Sequence, residues 1–561
     1  MKTLLKNGTV VNVFTDSLQC ADVLIENEKI IGVGEYSHAD ADVIEDVSGK
    51  YICPAFIDGH IHIESTMLTP YELAKICLPR GTVSIISDPH EIANVCGIDG
   101  IRYMLEASQG LPMNVYVNLP SCVPATPFDE SGATLYAEDL APLYDSERVI
   151  GLAEMMNYPA VISNEASVIA KIADARARGF FVDGHAPMLS GKALDKYISA
   201  GIHADHECSS FEEAREKLSK GQWIMIRQGT AARNLDALFP LFSEPYNRRC
   251  LLVTDDRHPA DIVSEGHIDN IIRQAISKGA SPSVAIRMAT IQAAQCFGLS
   301  YVGAIAPAYR ADILVLDDLD SVDIIDVYSS GRKVVENKKT VEFDMPIVSD
   351  NLKAAVYNSF HISELSPSDF YIAPNSNRCR AIKILSGELV TDSVEVDVDW
   401  TKNNGIDLER DILKLAVIER HKGTGHKGIG FIKGIGLKKG AIASSVSHDS
   451  HNIIVIGTND DDMALAANRI REVGGNIVVC DGEIIAEMPL PIGGLMSDLS
   501  GAEIANKNAI VRESVYKLGV PLDIEPFMNM AFVSLAVIPS LKMTTLGLVD
   551  VDNWKLVSLY V

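Results

Sequence analysis

The sequence predicts an α/β protein. A (β/α)8 TIM-like barrel spans 51–304, with a small β-sandwich domain built from both flanks (1–50 and 305–345) and a C-terminal α+β domain at 350–561. Three observations carry this. The chain has 561 residues, more than one typical core holds. Its central segment alternates short apolar runs with helix-like stretches, the rhythm of βα units around a parallel sheet. A strand-like texture before residue 50 returns after residue 310, so the two outer pieces are placed to pair.

In the N-terminal flank, Asp22 to Gly34 reads as two strands around a polar turn. The matching texture lies in Ala311–Asp317 and Val327–Val335. Between them, eight strand candidates end near Gly59, Ser87, Leu119, Glu154, Asp183, Asp205, Gln228 and Thr254. Eight βα units in roughly 250 residues match the size of a (β/α)8 barrel, whose functional groups sit at the C-terminal strand ends. After a polar linker near Ser349 and Ser366, strand signals such as Asn452–Gly457 mix with a helix from Asp462 to Val473.

Composition narrows the function classes. The chain is 47% hydrophobic and 22% charged, ordinary for a globular protein with a large core. A net charge of −26 repels phosphate, so nucleic acid and anionic membrane surfaces are not expected partners. The N-terminus carries no signal-peptide pattern, and no apolar run is long enough to span a bilayer. Ten scattered cysteines without a CxxC pair read as free thiols in a reducing compartment, which predicts a cytoplasmic protein. The missing CxxC also excludes the zinc nucleobase deaminases built on HxE and PCxxC.

The chemistry lies at the strand ends. The first barrel strand runs into Asp58-Gly59-His60-Ile61-His62. Residues i and i+2 of a strand share a face, so His60 and His62 project together as paired ligands. Alone, the pair is more readily two surface or core histidines. The other ends change that reading. Strand four ends in Glu154, an acid too costly to bury unless paired or metal-bound. Strand five leads to His185, strand six to His206 and Glu207, and strand eight to Asp255. Six candidate ligands (His60, His62, Glu154, His185, His206 and Asp255) thus fall at one end of five strands. Histidine and carboxylate together suit Zn, Mn or Fe, and a two-metal site makes hydroxide available near neutral pH. After strand two, Asp88 and His90 sit where substrate or an extra metal would be held, beside Glu91.

Weaker patterns point elsewhere. Gly423–Gly428 matches GxGxxG, but no helix former follows, so turns between strands are expected. Ser447-His448-Asp449-Ser450-His451 lacks a nucleophile elbow and reads as a structural or pocket-edge loop.

Taken together, Phe56–Glu64, the later single histidines and Asp255 resemble the amidohydrolase superfamily. Asp88-Pro89-His90-Glu91, Gly151–Asn157, Asp183–Pro187, Thr254–Pro259 and Met488–Ser497 are similar to its adenine deaminase family. The resemblance covers nearly the whole chain. One departure from the wider superfamily stands out. Many binuclear members carry a carboxylated lysine at the end of strand four, and here Glu154 takes that place. The resemblance implies hydrolysis of adenine to hypoxanthine and ammonia in purine salvage, the alternative being a cyclic amide or another amino-heterocycle. It implies two divalent ions, Mn or Fe rather than Zn. His60, His62 and Asp255 would hold one, His185 and His206 the other, with Glu154 as the bridge. Asp255 would shuttle the water proton, and Glu91 or Glu207 would protonate the ring. Self-association into a homo-oligomer is also expected from the resemblance.

Overall fold

The computed structural model describes residues 1–386, 388 and 390–561. Eight parallel strands form the barrel: Phe56–Ile61, Thr82–Ser87, Asn114–Leu119, Val149–Met155, Phe181–Gly184, Ala204–Asp205, Trp223–Arg227 and Cys250–Val253. Each ends within two residues of its expected position. The first five pair in chain order, as do the last three. Two backbone contacts close the ring. His203 N–H donates to Val182 O at 3.0 Å, and Asp255 N–H donates to His60 O at 2.9 Å. The strands are buried on both faces because helices cover the outside and side chains fill the inside, as in Phe56–Ile61 and Thr82–Ser87, where every residue is buried.

The two flanks join in one nine-stranded sheet. Lys2–Asn12 is its long central strand, pairing with Val43–Asp46 through its first half and with Tyr51–Pro54 through its second. A register shift between Leu5 and Gly8 separates the halves. Tyr51–Pro54 pairs antiparallel with Ile313–Leu316, tying the residues before the barrel to those after it. The sequence reading placed Tyr51 on the barrel side of a boundary at 50. An unbroken apolar run from Tyr51 to Ile57 conceals the handover, which falls at Ala55.

The C-terminal part is built on an eight-stranded mixed sheet. The expected helix runs Asp460–Val473, capped by the Asn459 side chain accepting from Asp462 N–H at 2.8 Å. A second helix, Gly501–Lys517, lies between this sheet and the barrel helices Pro70–Cys77 and Pro259–Ser264. Gly501 N–H donates to Glu72 of the barrel at 3.1 Å. Apolar packing is continuous across the junction, with Phe56, Ile224 and Leu252 in the same cluster as Ile432, Ile442 and Val478. Gly423–Gly428 belongs to the hairpin between Leu413–Ile418 and Lys427–Lys433. The buried Glu419 carboxylate holds that turn, accepting from the N–H groups of Lys422 at 2.7 Å and Thr424 at 2.9 Å.

Candidate active site

The six expected ligands converge at the C-terminal mouth of the barrel. His60 and His62 leave the first strand with their Nε2 atoms 3.1 Å apart. His62 Nε2 lies 3.1 Å from Asp255 Oδ1 and 3.3 Å from Glu154 Oε1. Across Glu154, the other carboxylate oxygen Oε2 is 2.5 Å from His185 Nδ1 and 3.1 Å from His206 Nε2. One carboxylate thus faces two groups of donors, one through each oxygen. These side chains are buried except His185, which is partly exposed.

The outer nitrogens are already occupied, which fixes the rings. His62 Nδ1 sits 3.1 Å from Asp88 O, and His60 Nδ1 is 3.4 Å from the buried Asp183 Oδ2. An imidazole that gives its Nδ1 proton outward turns an Nε2 lone pair inward, the arrangement a metal ligand needs. Asp255 is placed by an uncommon backbone. Its φ is +57°, in the left-handed region, and this turn brings its carboxylate back over the barrel mouth. Nitrogens and carboxylate oxygens around two adjoining spaces fit a binuclear divalent metal centre.

The electrostatics agree with a cluster built to hold cations. Burial opposes charge on His60, yet Asp183 and Asp255 outweigh it and raise the imidazole to about 10. His185 is likewise raised to about 9 against its burial by Glu207 and Glu154. Glu154 is held well below the usual carboxylate range despite its burial, by the imidazoles of His185 and His206. Asp255 is depressed against burial by Arg227 and by hydrogen bonding to His60 and His62.

Of the remaining predicted residues, His90, Glu91 and Glu207 line the same pocket, and Asp88 lies behind His90. Glu207 receives both terminal nitrogens of Arg227, the Nη2 contact at 2.9 Å, while Nη1 also reaches Asp255. Burial pushes the Glu207 carboxyl up, and Arg227 overrides it and holds the group low. Glu91 lies in the first turn of the helix His90–Ala107 and accepts from Ser65 Oγ at 2.8 Å. Its carboxyl is raised by burial. His90 Nδ1 is 3.3 Å from Asp88 Oδ2 and 3.7 Å from Glu154 Oε1, so Asp88 and His90 border the first group of donors.

The C-terminal part supplies residues that strand-end reasoning missed. His448 and Asp449 enter the barrel mouth, with Asp449 Oδ1 3.7 Å from His90 Nε2. Met528, Phe532, Leu535 and Ile538 line the side of the pocket they share. His451 Nε2 points at Glu91 Oε2 from 3.7 Å. Because His451 Nδ1 accepts from Ser447 N–H at 3.3 Å, the free proton of that ring faces Glu91. The polar run Ser447–His451 was read from the sequence as a structural or pocket-edge loop. Nothing local announced that its pocket belongs to the barrel. Arg227, at the end of strand seven, carried the same signal as Glu154, a charge closing an apolar run.

Comparison with known proteins agrees with this geometry. The amidohydrolase family model matches residues 51–352, and the adenine deaminase C-terminal domain model matches residues 388–555. The adenine deaminase of Clostridium acetobutylicum is 47% identical over 557 residues, covering 98% of this chain and 96% of that protein. Adenine deaminase 2 of Carboxydothermus hydrogenoformans is 45% identical over 559 residues, covering 99% of this chain and 96% of that one. A barrel whose mouth gathers four histidines around a carboxylate, a family match across most of the barrel and full-length relatives sharing nearly half of its residues have one meaning: the chain belongs to the amidohydrolase family, in its adenine deaminase branch.

Proposed function

We propose that this pocket hydrolyses adenine to hypoxanthine and ammonia, the reaction named for its full-length relatives. The observation that carries the reading is the two-sided Glu154 carboxylate, with His60, His62 and Asp255 on one side and His185 and His206 on the other. Bound there, a pair of divalent ions supplies a hydroxide nucleophile near neutral pH. In the balanced reaction a C6–O bond forms and the C6–N bond breaks, one proton of the water leaving on ammonia and the other remaining on hypoxanthine.

The chain's own groups move those protons. Asp255, ionised and fixed by Arg227, takes the proton of the attacking water and returns it to the departing amine. A ring nitrogen must be protonated for the ring to accept electrons, and Glu91 is the group suited to that role. It is buried, its carboxyl is raised, and Ser65 and His451 orient it. Glu207 is committed to Arg227 and is better suited to holding that guanidinium against Asp255. Asp88 and His90 border the donor group of His62 and Glu154, where they would meet substrate or an ion. Mn or Fe would suit this carboxylate-bearing donor set at least as well as Zn, because harder oxygen ligands suit them.

The cellular setting follows from gentler arguments. All ten cysteines are free thiols, which supports a reducing cytoplasm. Among the described residues, no helix is long and apolar enough to cross a membrane. The net charge of −26 supports a small-molecule substrate over nucleic acid, and the family resemblance supports a homo-oligomer, measurable by light scattering. The direct test is ammonia release from adenine by purified protein with and without added Mn²⁺, beside guanine and cytosine. Metal-stimulated release from adenine alone is the expected result. No release from protein containing two ions per chain would overturn the substrate assignment.

A further inference from the structure

We propose that the C-terminal segment from Pro526 to Ile538 sets the size limit of the substrate, with Phe532 and Leu535 as the residues that reject purines substituted on the imidazole-ring nitrogen N9, nucleosides included. The inference rests on the deaminase reading of the pocket and adds what that reading leaves open.

The pocket has two unlike sides. Donors and acceptors gather on the barrel side, around Glu154 and Asp255. The C-terminal segment adds an apolar roof to the same pocket, formed by Met528, Phe532, Leu535 and Ile538. Met528, Phe532 and Leu535 retain only 5%, 6% and 3% of their surface, so they are packed over the site and not swung out into solvent. Phe532 lies flat against His448, ring centroids 4.5 Å apart and planes 24° apart.

The roof is braced from behind. His448 N–H donates to Ala531 O at 3.0 Å, and Ser534 Oγ donates to His448 O at 3.0 Å. Ser447 and Ser534 hydroxyls meet at 2.6 Å, and Lys542 Nζ donates to Phe532 O at 2.9 Å. These bonds hold the roof to its own domain, while its contact with the barrel mouth is made by apolar side chains.

Geometry of the purine does the rest. C6 and N9 lie at opposite ends of the bicyclic ring. We place C6 at the donors around Glu154 and N9 against the apolar side chains of the same pocket. A group on N9 must then displace packed apolar side chains, and a ribosyl group brings hydroxyls for which the roof offers no partner. The free base needs neither.

The test compares adenine with 9-methyladenine and adenosine as substrates for wild type, Phe532→Ala and Leu535→Ala. The readout is the ratio of kcat/KM for adenine over 9-methyladenine, so a general loss of rate cancels. Circular dichroism and metal content accompany each variant, and Leu535→Ala is the milder truncation where Phe532→Ala loses structure. We expect wild type to release ammonia from adenine with a kcat/KM far above its small but measurable value for 9-methyladenine, and slower still from adenosine. In the variants the ratio should fall by about tenfold or more, the scale on which one methyl-sized space discriminates. A ratio unchanged in both folded, metal-loaded variants would overturn the proposal, as would wild-type turnover of 9-methyladenine at the rate of adenine. Failure of wild type on adenine itself would mark the reaction, and the proposal built on it, as wrong.

Discussion

At the scale of single residues, the proposed roles of holding and proton transfer meet in Asp255, where one oxygen faces His60 and His62 while the other meets Arg227. Asp255→Ala should abolish measurable turnover while leaving the fold intact by circular dichroism, and near-wild-type activity would refute its role. Glu91→Gln preserves shape and removes the acid. Its kcat should drop by roughly 10²- to 10⁴-fold, the range for a general acid. Metal content should stay at the wild-type level, so a parallel loss of bound metal would show that Glu91 holds an ion instead. The residues legible in the sequence were those that break an apolar run at a strand end, such as Glu154 and His185. His448, Asp449 and Phe532 were not legible as site residues, because their place depends on the packing of two distant parts of the chain.

At the scale of elements, the barrel strands were readable because each is an apolar run closed by polar residues. The sixth was the hardest, with only Ala204–Asp205 in the ladder. It is held by side chains as much as by backbone. Asp205 accepts from Ala186 N–H at 3.0 Å, and from the buried Lys217 at 3.1 Å. Lys217 also meets Glu213 at 2.7 Å and Ala186 O at 2.7 Å, bridging the fifth and sixth strand ends that carry His185 and His206. Lys217→Met should strand the buried Asp205 without its cation and cost about 3–5 kcal/mol in a urea titration, as breaking a buried pair does. A loss within the error of the fit would show that strand six is held by its backbone alone. The extent of the flanking sheet was only partly legible, since Tyr51–Pro54 and the barrel strand that follows share one apolar run.

At the scale of the whole molecule, the site is a metal trap with a proton cost. In the metal-free protein the raised His60 and His185 imidazoles, at about 10 and about 9, carry protons at neutral pH. An ion must displace those protons, so metal affinity should rise with pH and fall as pH drops. Chelator competition at pH 6, 7 and 8 should show tighter binding at each step, by up to about tenfold per pH unit for each proton displaced. Affinity independent of pH would mean that the histidines are already neutral before the ion arrives.

The roof is also a matter of time. Every side chain from His60 to Asp255 leaves the ribosome before Ser447–His451 and Pro526–Ile538 have been made. During that interval the barrel mouth, once folded, lies open to ions from the cell. Once Pro526–Ile538 has been made, its side chains join the lining of that same pocket, so the donors are assembled first and covered last.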